Sequence, residues 1–177
     1  MPKSLADGKI KLTLFTAPLE DFDAAALNTG VDIECNILKS DFRLSATTSE
    51  TVDDTELCAD GNAVVFGASN YEGNMTVFRY FKSDGSVDAA ADTLWAAAKE
   101  KGSHLYLAMR ENGRDHEAEW INGDEGEYWH VITDEPQMPS DRGGYIKRTI
   151  PLGPQSKTPF VVGGSGSPAS SPASSPA

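Results

Sequence analysis

The sequence predicts a mainly β (α+β) domain, a β-sandwich or β-barrel with one flanking α-helix and long loop arms. Two observations support this: most apolar runs alternate with period two, and one stretch has helical spacing. The chain has 177 residues, which suits one domain that folds without disulfides. We expect this domain over residues 1–160. Residues 161–177, rich in Gly, Pro, Ala and Ser, predict a flexible extension with too little apolar surface to offset the entropy of ordering.

The first strands are predicted from alternating apolar residues. In KIKLTLF, residues 9–15, Ile10, Leu12 and Leu14 occupy alternate positions, so their side chains point to one face of the strand. VDIECNIL, residues 31–38, has the same pattern and places Cys35 in the core. FRLSA, residues 42–46, follows a short turn, so we expect these last two runs to form a hairpin.

The remaining strand candidates follow in order, separated by turn-forming residues: NAVVFGA, GNMTVFRYF, SHLYLAMRE, EAEWI, EYWHVIT and GYIKRTIPL. We expect the last two to be adjacent strands. Pro151 and Pro154 are expected to end their pairing, because proline lacks the backbone N–H that a sheet requires.

The run GNMTVFRYF is apolar on both faces of its predicted strand. One face carries Met75, Val77 and Phe81, and the other carries Phe78 and Tyr80. Both faces therefore need cover. Either this is a central strand beneath a helix or a second sheet, or another copy of the protein covers its second face.

One helix is predicted within DGSVDAAADTLWAAAKEKG, over about residues 86–101. Its apolar residues recur at positions i, i+3, i+4 and i+7, and Gly102 follows as a C-terminal cap. We expect Leu94 and Trp95 to pack on the sheet.

The charge balance excludes several classes of partner. The chain carries 27 acidic and 15 basic residues, a formal net charge of −12, which disfavours binding to nucleic acid or to an anionic membrane. Its apolar runs are far shorter than the roughly 20 residues that span a bilayer. Two cysteines without a CxxC motif fit a reducing compartment. We therefore expect synthesis in the cytoplasm and no membrane partner.

Residues with chemical potential do not form a known catalytic pattern. His104, His116 and His130 belong to no metal-binding motif. The acidic residues between 111 and 127 lie among Asn-Gly turns and are interpreted as solvated loops. The sequence therefore predicts no enzyme, no cofactor and no metal.

The stretch TTSETVDDTELCADGN, residues 47–62, is acidic and contains no basic residue. Loops of this length in a compact domain are usually functional or disordered. We interpret it as an arm that contacts a neighbouring subunit, with Cys58 as a small buried anchor. Its acidic residues are Glu50, Asp53, Asp54, Glu56 and Asp60.

The order of these segments resembles the major tail tube protein of long-tailed, non-contractile phages, particularly siphovirus-type phages of actinobacteria. The resemblance covers residues 8 to about 155 and rests on DGKIKLTLF, LNTGVDIECNILKSDFRLSATTSETVDDTELC, FGASNYEGNMTVFRYF, the Leu-Trp helix, HLYLAMREN and EYWHVITDEPQ with GGYIKRTIPLGPQ. It implies a tail-tube-type β-sandwich, six copies of which form a ring. Stacked rings would form the tube that conducts the genome into the host.

The resemblance also implies partners and contact surfaces. Partners would be further copies of the chain, the tape measure, the tail terminator and distal tail proteins, in the virion tail, with DNA passing without specific binding. Edge strands such as GNMTVFRYF or NAVVFGA would join subunits, with Phe78 and Tyr80 buried between them. The arm, through Glu50, Asp53, Asp54, Glu56 and Cys58, would contact the next ring. Six chains would carry 6 × (−12) = −72, and acids in the channel would repel DNA.

Two alternatives remain open at the level of sequence. One is another assembly subunit, such as a tail terminator, a connector or the tube of an injection system. The other is a monomeric β-sandwich that binds a ligand on acidic loops near Trp120 and Trp129.

Overall fold

The computed structural model describes residues 7–52, 65–140 and 142–163. These form two short helices, α1 (Ala24–Leu27) and α2 (Thr93–Ala98), and two 3-10 turns, Glu34–Asn36 and Lys39–Asp41. The strands are β1 (Ile10–Phe15), β2 (Val31–Asp32), β3 (Arg43–Thr47), β4 (Thr51–Val52), β5 (Val65–Phe66), β6 (Asn70–Phe78), β7 (His104–Glu111), β8 (Glu125–Thr133) and β9 (Lys147–Val161). The predicted mainly β class is confirmed.

Seven strands form one antiparallel sheet in the order β2-β1-β7-β8-β9-β6-β3, and β4 pairs separately with β5. Strands β8 and β9 are neighbours, as the sequence predicted. Strand β9 is long enough to serve two partners: its first residues pair with β6, and the residues from Leu152 onward pair with β8. The outermost strands are β2 and β3.

The main core lies on one face of this sheet. Every second residue of the long strands points into it, because side chains alternate along a strand. Helix α2 adds Leu94 and Ala98 to the same cluster. The strand residues of this core are Leu12, Leu14, Leu44, Met75, Val77, Leu105, Leu107, Trp129, Val131, Ile150 and Leu152.

A second, smaller core covers part of the opposite face. It consists of Phe15, Leu27, Ala108, Trp120, Tyr128, Phe160 and Val162. Polar bonds fix its large rings: Trp120 Nε1 donates to Thr13 Oγ1 at 3.0 Å, and the Leu19 amide donates to the Tyr128 hydroxyl at 2.8 Å. Both faces of the sheet are therefore covered at this end, and α1 with the segment 112–124 provides the cover.

The strand predicted over VDIECNIL is wrong beyond its first two residues. Ile33 and Ile37 are buried, whereas Cys35 between them is exposed and is not a core thiol. A 3-10 turn at Glu34–Asn36 brings the two isoleucines, four residues apart, to the same side. The predicted hairpin is also wrong, because β2 pairs with β1 and β3 pairs with β6.

Helix α2 covers only Thr93–Ala98 of the predicted 86–101. Before it, Asp84 closes a turn by accepting hydrogen bonds from Ser86, and Val87 forms a β-bridge. Asp92 occupies the N-cap position without capping, since its carboxylate binds Arg79 instead. Local polar contacts therefore keep the first half of the segment out of the helix.

Pro151 and Pro154 do not end the pairing, which continues to Val161. Strand β6 accompanies β9 only as far as Leu152, so residues 153–161 pair on one side alone among the described strands. A register shift in β8 lies opposite Pro154. An unpaired side and a bulge are the places where a sheet tolerates proline.

Two further strand predictions need correction. EAEWI is not a strand, and residues 112–124 form the connection between β7 and β8. GNMTVFRYF is a strand only to Phe78, and it is not an edge, because β6 lies between β9 and β3. Phe81, which was predicted to share the core face of Met75, is exposed beyond the end of the strand.

Candidate assembly surface

Five apolar side chains lie at the end of β6 and on the segments that follow β6 and precede β9, and we call them the apolar patch: Phe78, Phe81, Val87, Tyr145 and Ile146. Tyr145 is 82% exposed and Ile146 is 54% exposed. Phe81 and Val87 are also exposed, and Phe78 is half-buried. Exposed apolar side chains that cluster in this way commonly mark a contact site for another chain.

Backbone pairing holds the patch together. The Arg79 amide donates to the Ile146 carbonyl at 2.9 Å, which fixes the entry to β9 beside the exit of β6. The Phe78 and Tyr145 rings meet edge to face with centroids 5.9 Å apart. Phe81 and Val87 face each other across an antiparallel bridge. Two pairs within the patch are therefore neighbours, Phe78 with Tyr145 and Phe81 with Val87.

Arg79 anchors this surface to the domain. Its guanidinium binds the buried Asp92 carboxylate through Nε at 3.0 Å and Nη2 at 2.9 Å. The same group lies 4.4 Å from the centre of the Trp95 ring and 5.2 Å from that of Phe81. The Tyr80 amide donates to Asp92 Oδ1 at 3.2 Å. The loop after β6 is thus tied to α2 by one ion pair.

The two predicted contact residues occupy different environments. Phe78 lies in the apolar patch. Tyr80 is half-buried within its own chain, and its hydroxyl donates to Asn36 Oδ1 at 3.3 Å. Desolvation, followed by the negative potential of Cys35 and Asp92, raises the pKa of Tyr80.

The predicted contact residues do not include Tyr145 and Ile146, which the structure shows to be exposed. GYIKRTIPL was interpreted as a strand throughout, but β9 begins only at Lys147. Gly144 has φ of 75°, a left-handed conformation that separates these two residues from the preceding loop. Two adjacent large apolar residues directly after Gly143-Gly144 were the signal available in the sequence.

The predicted arm starts from a two-stranded ribbon. Strands β3 and β6 are paired neighbours, and β4 and β5 pair beyond them, with the Gly67 amide donating to the Glu50 carbonyl at 2.7 Å. Glu50 is exposed, and Phe66 at the same ribbon is 69% exposed. The other predicted arm residues, Asp53, Asp54, Glu56, Asp60 and Cys58, lie outside the described residues.

The acidic stretch 111–127 is not solvated throughout. Asp124 is 5% exposed and accepts hydrogen bonds from Arg110 at 3.0 Å and from Arg114 at 2.7 Å. Burial raises the pKa of Asp124, but the Ile121 amide and the two arginines outweigh it and hold the pKa below the usual range of an aspartate. This carboxylate is therefore a structural centre of the 112–124 connection.

The three histidines do not converge on one site. His116 binds Glu34 at 3.1 Å, and His104 contacts His130 at 2.8 Å on another part of the sheet. Within residues 7–52, 65–140 and 142–163, no group of three or more metal-ligating side chains comes together. In the same ranges, no helix has the length and apolar character needed to cross a bilayer.

The tryptophans named in the alternative of a binding module are buried. Trp120 and Trp129 are 1% and 0% exposed and belong to the two cores. Neither ring can therefore serve as a platform for a ligand. The binding-module alternative then rests on the acidic loops alone.

A β-rich domain with an exposed apolar patch is a candidate for one of the classes of protein that bind other chains. Comparison with protein families identifies which: a family model described as phage tail tube protein matches residues 1–162. The chain belongs to the phage tail tube protein family, a structural family of the virion tail. The resemblance seen in the sequence is confirmed at this level.

A solved structure has a similar fold. A chain of the cryo-EM structure of the anti-feeding prophage baseplate, 6-fold symmetrised, aligns with a TM-score of 0.53 and 14% sequence identity. The alignment covers 92% of this protein and 99% of that chain. A search of curated protein sequences gave no match.

Proposed function

We propose that this protein is the major tail tube subunit of a siphovirus-type phage, of the kind that infects actinobacteria. Six copies would close into a ring, and stacked rings would form the conduit for the genome. Membership of the tail tube family carries this proposal. The six-fold symmetry of the assembly that contains the chain of similar fold supports the number of copies.

A closed ring needs two different surfaces on each subunit, because each copy meets its neighbours head to tail. We assign the apolar patch, including Phe78, to one of these contacts, with Tyr80 beside it. The outermost strands β2 and β3 offer the unpaired backbone groups through which adjacent sheets could continue. Both kinds of contact would lie between subunits of one ring.

Contacts between rings are assigned to the arm. The ribbon of β4 and β5 leads away from the paired strands β3 and β6, and Glu50 is exposed at its base. Asp53, Asp54, Glu56 and Cys58 complete the proposed contact. Neutral replacement of the three acids should weaken stacking without preventing ring formation.

The remaining partners follow from this role. The tube would meet a tape measure, a tail terminator and distal tail proteins, first in the host cytoplasm and then in the virion. DNA would pass without specific binding. Acidic side chains in the channel would favour this, since a basic channel would bind phosphates.

The test is negative-stain electron microscopy with light scattering on the purified full chain. We expect six-fold rings or hollow tubes. Tyr145→Ser and Ile146→Ser should reduce assembly, because each removes exposed apolar area from the patch. Ile121→Ser is the matched control, since Ile121 is also exposed and apolar but lies in the 112–124 connection.

Equal assembly by the patch and control variants would assign the subunit contact to another surface. A monomer at every concentration, also after addition of the other tail proteins, would contradict the tail tube role itself.

A second candidate is a subunit at an end of the tube, such as a terminator or a baseplate component. The chain of similar fold comes from a baseplate, which favours this alternative. Single rings that do not stack would support it, and long tubes would exclude it.

A further inference from the structure

Two histidines lie side by side on the face of the sheet opposite the main core. His104 is on β7 and His130 is on β8, and they are diagonal neighbours because His104 pairs with Ile132 and His130 pairs with Tyr106. His104 Nδ1 and His130 Nε2 are 2.8 Å apart. The ring planes differ by 21° and their centroids are 5.1 Å apart. The two nitrogens therefore face each other.

Neighbouring groups hold this pair in place while leaving it open to solvent. The Tyr106 ring stacks on His130 with centroids 4.7 Å apart and an interplanar angle of 13°. His130 is half-buried and His104 is exposed. Both strands are interior strands of the sheet, so their spacing is fixed by backbone pairing. The apolar patch contains neither histidine.

We propose that His104 and His130 form a chelating site for a late divalent transition metal, Cu²⁺, Ni²⁺ or Zn²⁺, with Cu²⁺ bound most tightly. The inference goes beyond the proposed function and does not depend on it. Imidazole nitrogen suits all three metals. Water would complete the coordination, since the described part of the chain brings no third ligand to the pair.

The Irving–Williams order sets the expected preference, because sites of imidazole nitrogen bind Cu²⁺ more tightly than the other divalent metals of this series. In the present structure the 2.8 Å separation is that of a hydrogen bond, and the 5.1 Å between the ring centres places the two nitrogens nearly in line. Both rings must therefore turn about their side-chain bonds before their lone pairs converge on one metal ion.

Metal binding requires a change of tautomer in one ring. The present contact is a hydrogen bond, so one of the two facing nitrogens carries a proton. On binding, that proton moves by way of solvent to the outer nitrogen of the same ring. Both facing nitrogens then offer lone pairs, and each ring remains neutral.

The test is isothermal titration calorimetry of the full chain with CuCl₂, NiCl₂ and ZnCl₂. We expect one site per chain, tighter for Cu²⁺ than for Ni²⁺ or Zn²⁺. His104→Gln and His130→Gln should each weaken binding by at least roughly tenfold, since even loss of a residue behind a ligand costs that much. His116→Gln is the matched control, because His116 pairs with Glu34 elsewhere and should leave binding unchanged.

Circular dichroism of each variant establishes that it is folded. His104 is exposed, so His104→Gln tests the site even where His130→Gln disturbs the sheet. Absence of binding to the unmodified chain, binding unchanged in His104→Gln, or binding lost in His116→Gln would each overturn the assignment. Zn²⁺ bound more tightly than Cu²⁺ would overturn the predicted order of affinities.

Discussion

Asp124 is the residue on which the connection between β7 and β8 depends. Arg110, which is fully buried, donates to Asp124 at 3.0 Å and also to the backbone carbonyls of Asp115, Ala118 and Glu119. Asp124 in turn accepts from Arg114, Asn112 and the Ile121 amide. One carboxylate therefore neutralises a buried arginine and orders the chain around it.

We expect Asp124→Asn to lower the free energy of unfolding by about 3 kcal/mol or more. The substitution leaves the Arg110 charge buried without its partner, which is the costly way to break a buried ion pair. Urea denaturation followed by Trp fluorescence measures the change. Glu125→Gln removes the same charge from an exposed neighbour and should leave stability nearly unchanged.

The pH profile of the same two variants separates charge from packing. Because the folded pKa of Asp124 is lowered, its stabilisation is complete above the ordinary aspartate value of about 3.9 and is lost as the pH falls through the folded pKa. The difference between the unmodified chain and Asp124→Asn should therefore shrink below about pH 4. A difference that stays constant with pH would show that Asp124 acts through shape alone.

At the scale of elements, the ion pair between Arg79 and Asp92 connects the loop after β6 to α2. The guanidinium also lies over Trp95, so the pair is shielded by an aromatic ring. Asp92 is buried and is the N-cap residue of α2, yet it makes no capping bond. The Asp92 carboxylate therefore connects α2 to the loop after β6 instead of capping the helix.

A double-mutant cycle with Arg79→Met and Asp92→Asn tests this connection. We expect a coupling of about 1–3 kcal/mol in the free energy of unfolding, because the two groups contact each other and are shielded from water. The control cycle uses Lys101 and Asp134, an ion pair on exposed side chains, and its coupling should be close to zero. If the two single-variant changes in the free energy of unfolding simply add, Arg79 and Asp92 do not act as a pair.

The sequence predicts the elements well where side-chain alternation alone decides them. The strands β1, β6, β7 and β8 form where alternating apolar residues predict them, and apolar residues of each belong to the main core. The prediction fails at VDIECNIL because Ile33 and Ile37 are four residues apart. That spacing puts them on one side both in an extended strand and across a helical turn. The chain turns there through the bond from the Asn36 amide to the Ile33 carbonyl at 2.9 Å, and Glu34 accepts a hydrogen bond from the Leu12 amide, which is distant in sequence.

The candidate site was predictable only in part, for a similar reason. Phe78 can be picked out because its predicted strand is apolar on both faces. The position of Tyr145 and Ile146 beside the end of β6 depends on the hydrogen bond from the Arg79 amide to the Ile146 carbonyl. The His104 and His130 pair likewise depends on the register of β7 against β8. Residues 26 positions apart meet only when that register is known.

At the scale of the whole molecule, charge would oppose the proposed assembly through the apolar patch. Each chain carries −12, and the six chains of the proposed ring would carry 6 × (−12) = −72. Repulsion between exposed charges is screened by salt, and the Debye length falls from about 30 Å at 0.01 M to about 8 Å at 0.15 M ionic strength. Apolar contacts do not depend on this screening.

We therefore expect the critical concentration for assembly to fall as sodium chloride is raised from 0.01 M to 0.15 M, measured by light scattering and confirmed by electron microscopy. The double variant Glu117→Gln/Glu119→Gln, which removes two exposed charges per chain, should assemble at a lower concentration in 0.01 M salt. Its advantage should diminish at 0.15 M, because screening has already reduced the repulsion. If salt instead dissolves the assemblies, complementary charges on neighbouring subunits outweigh the net repulsion, and the contact has to be sought among ion pairs and not at the apolar patch.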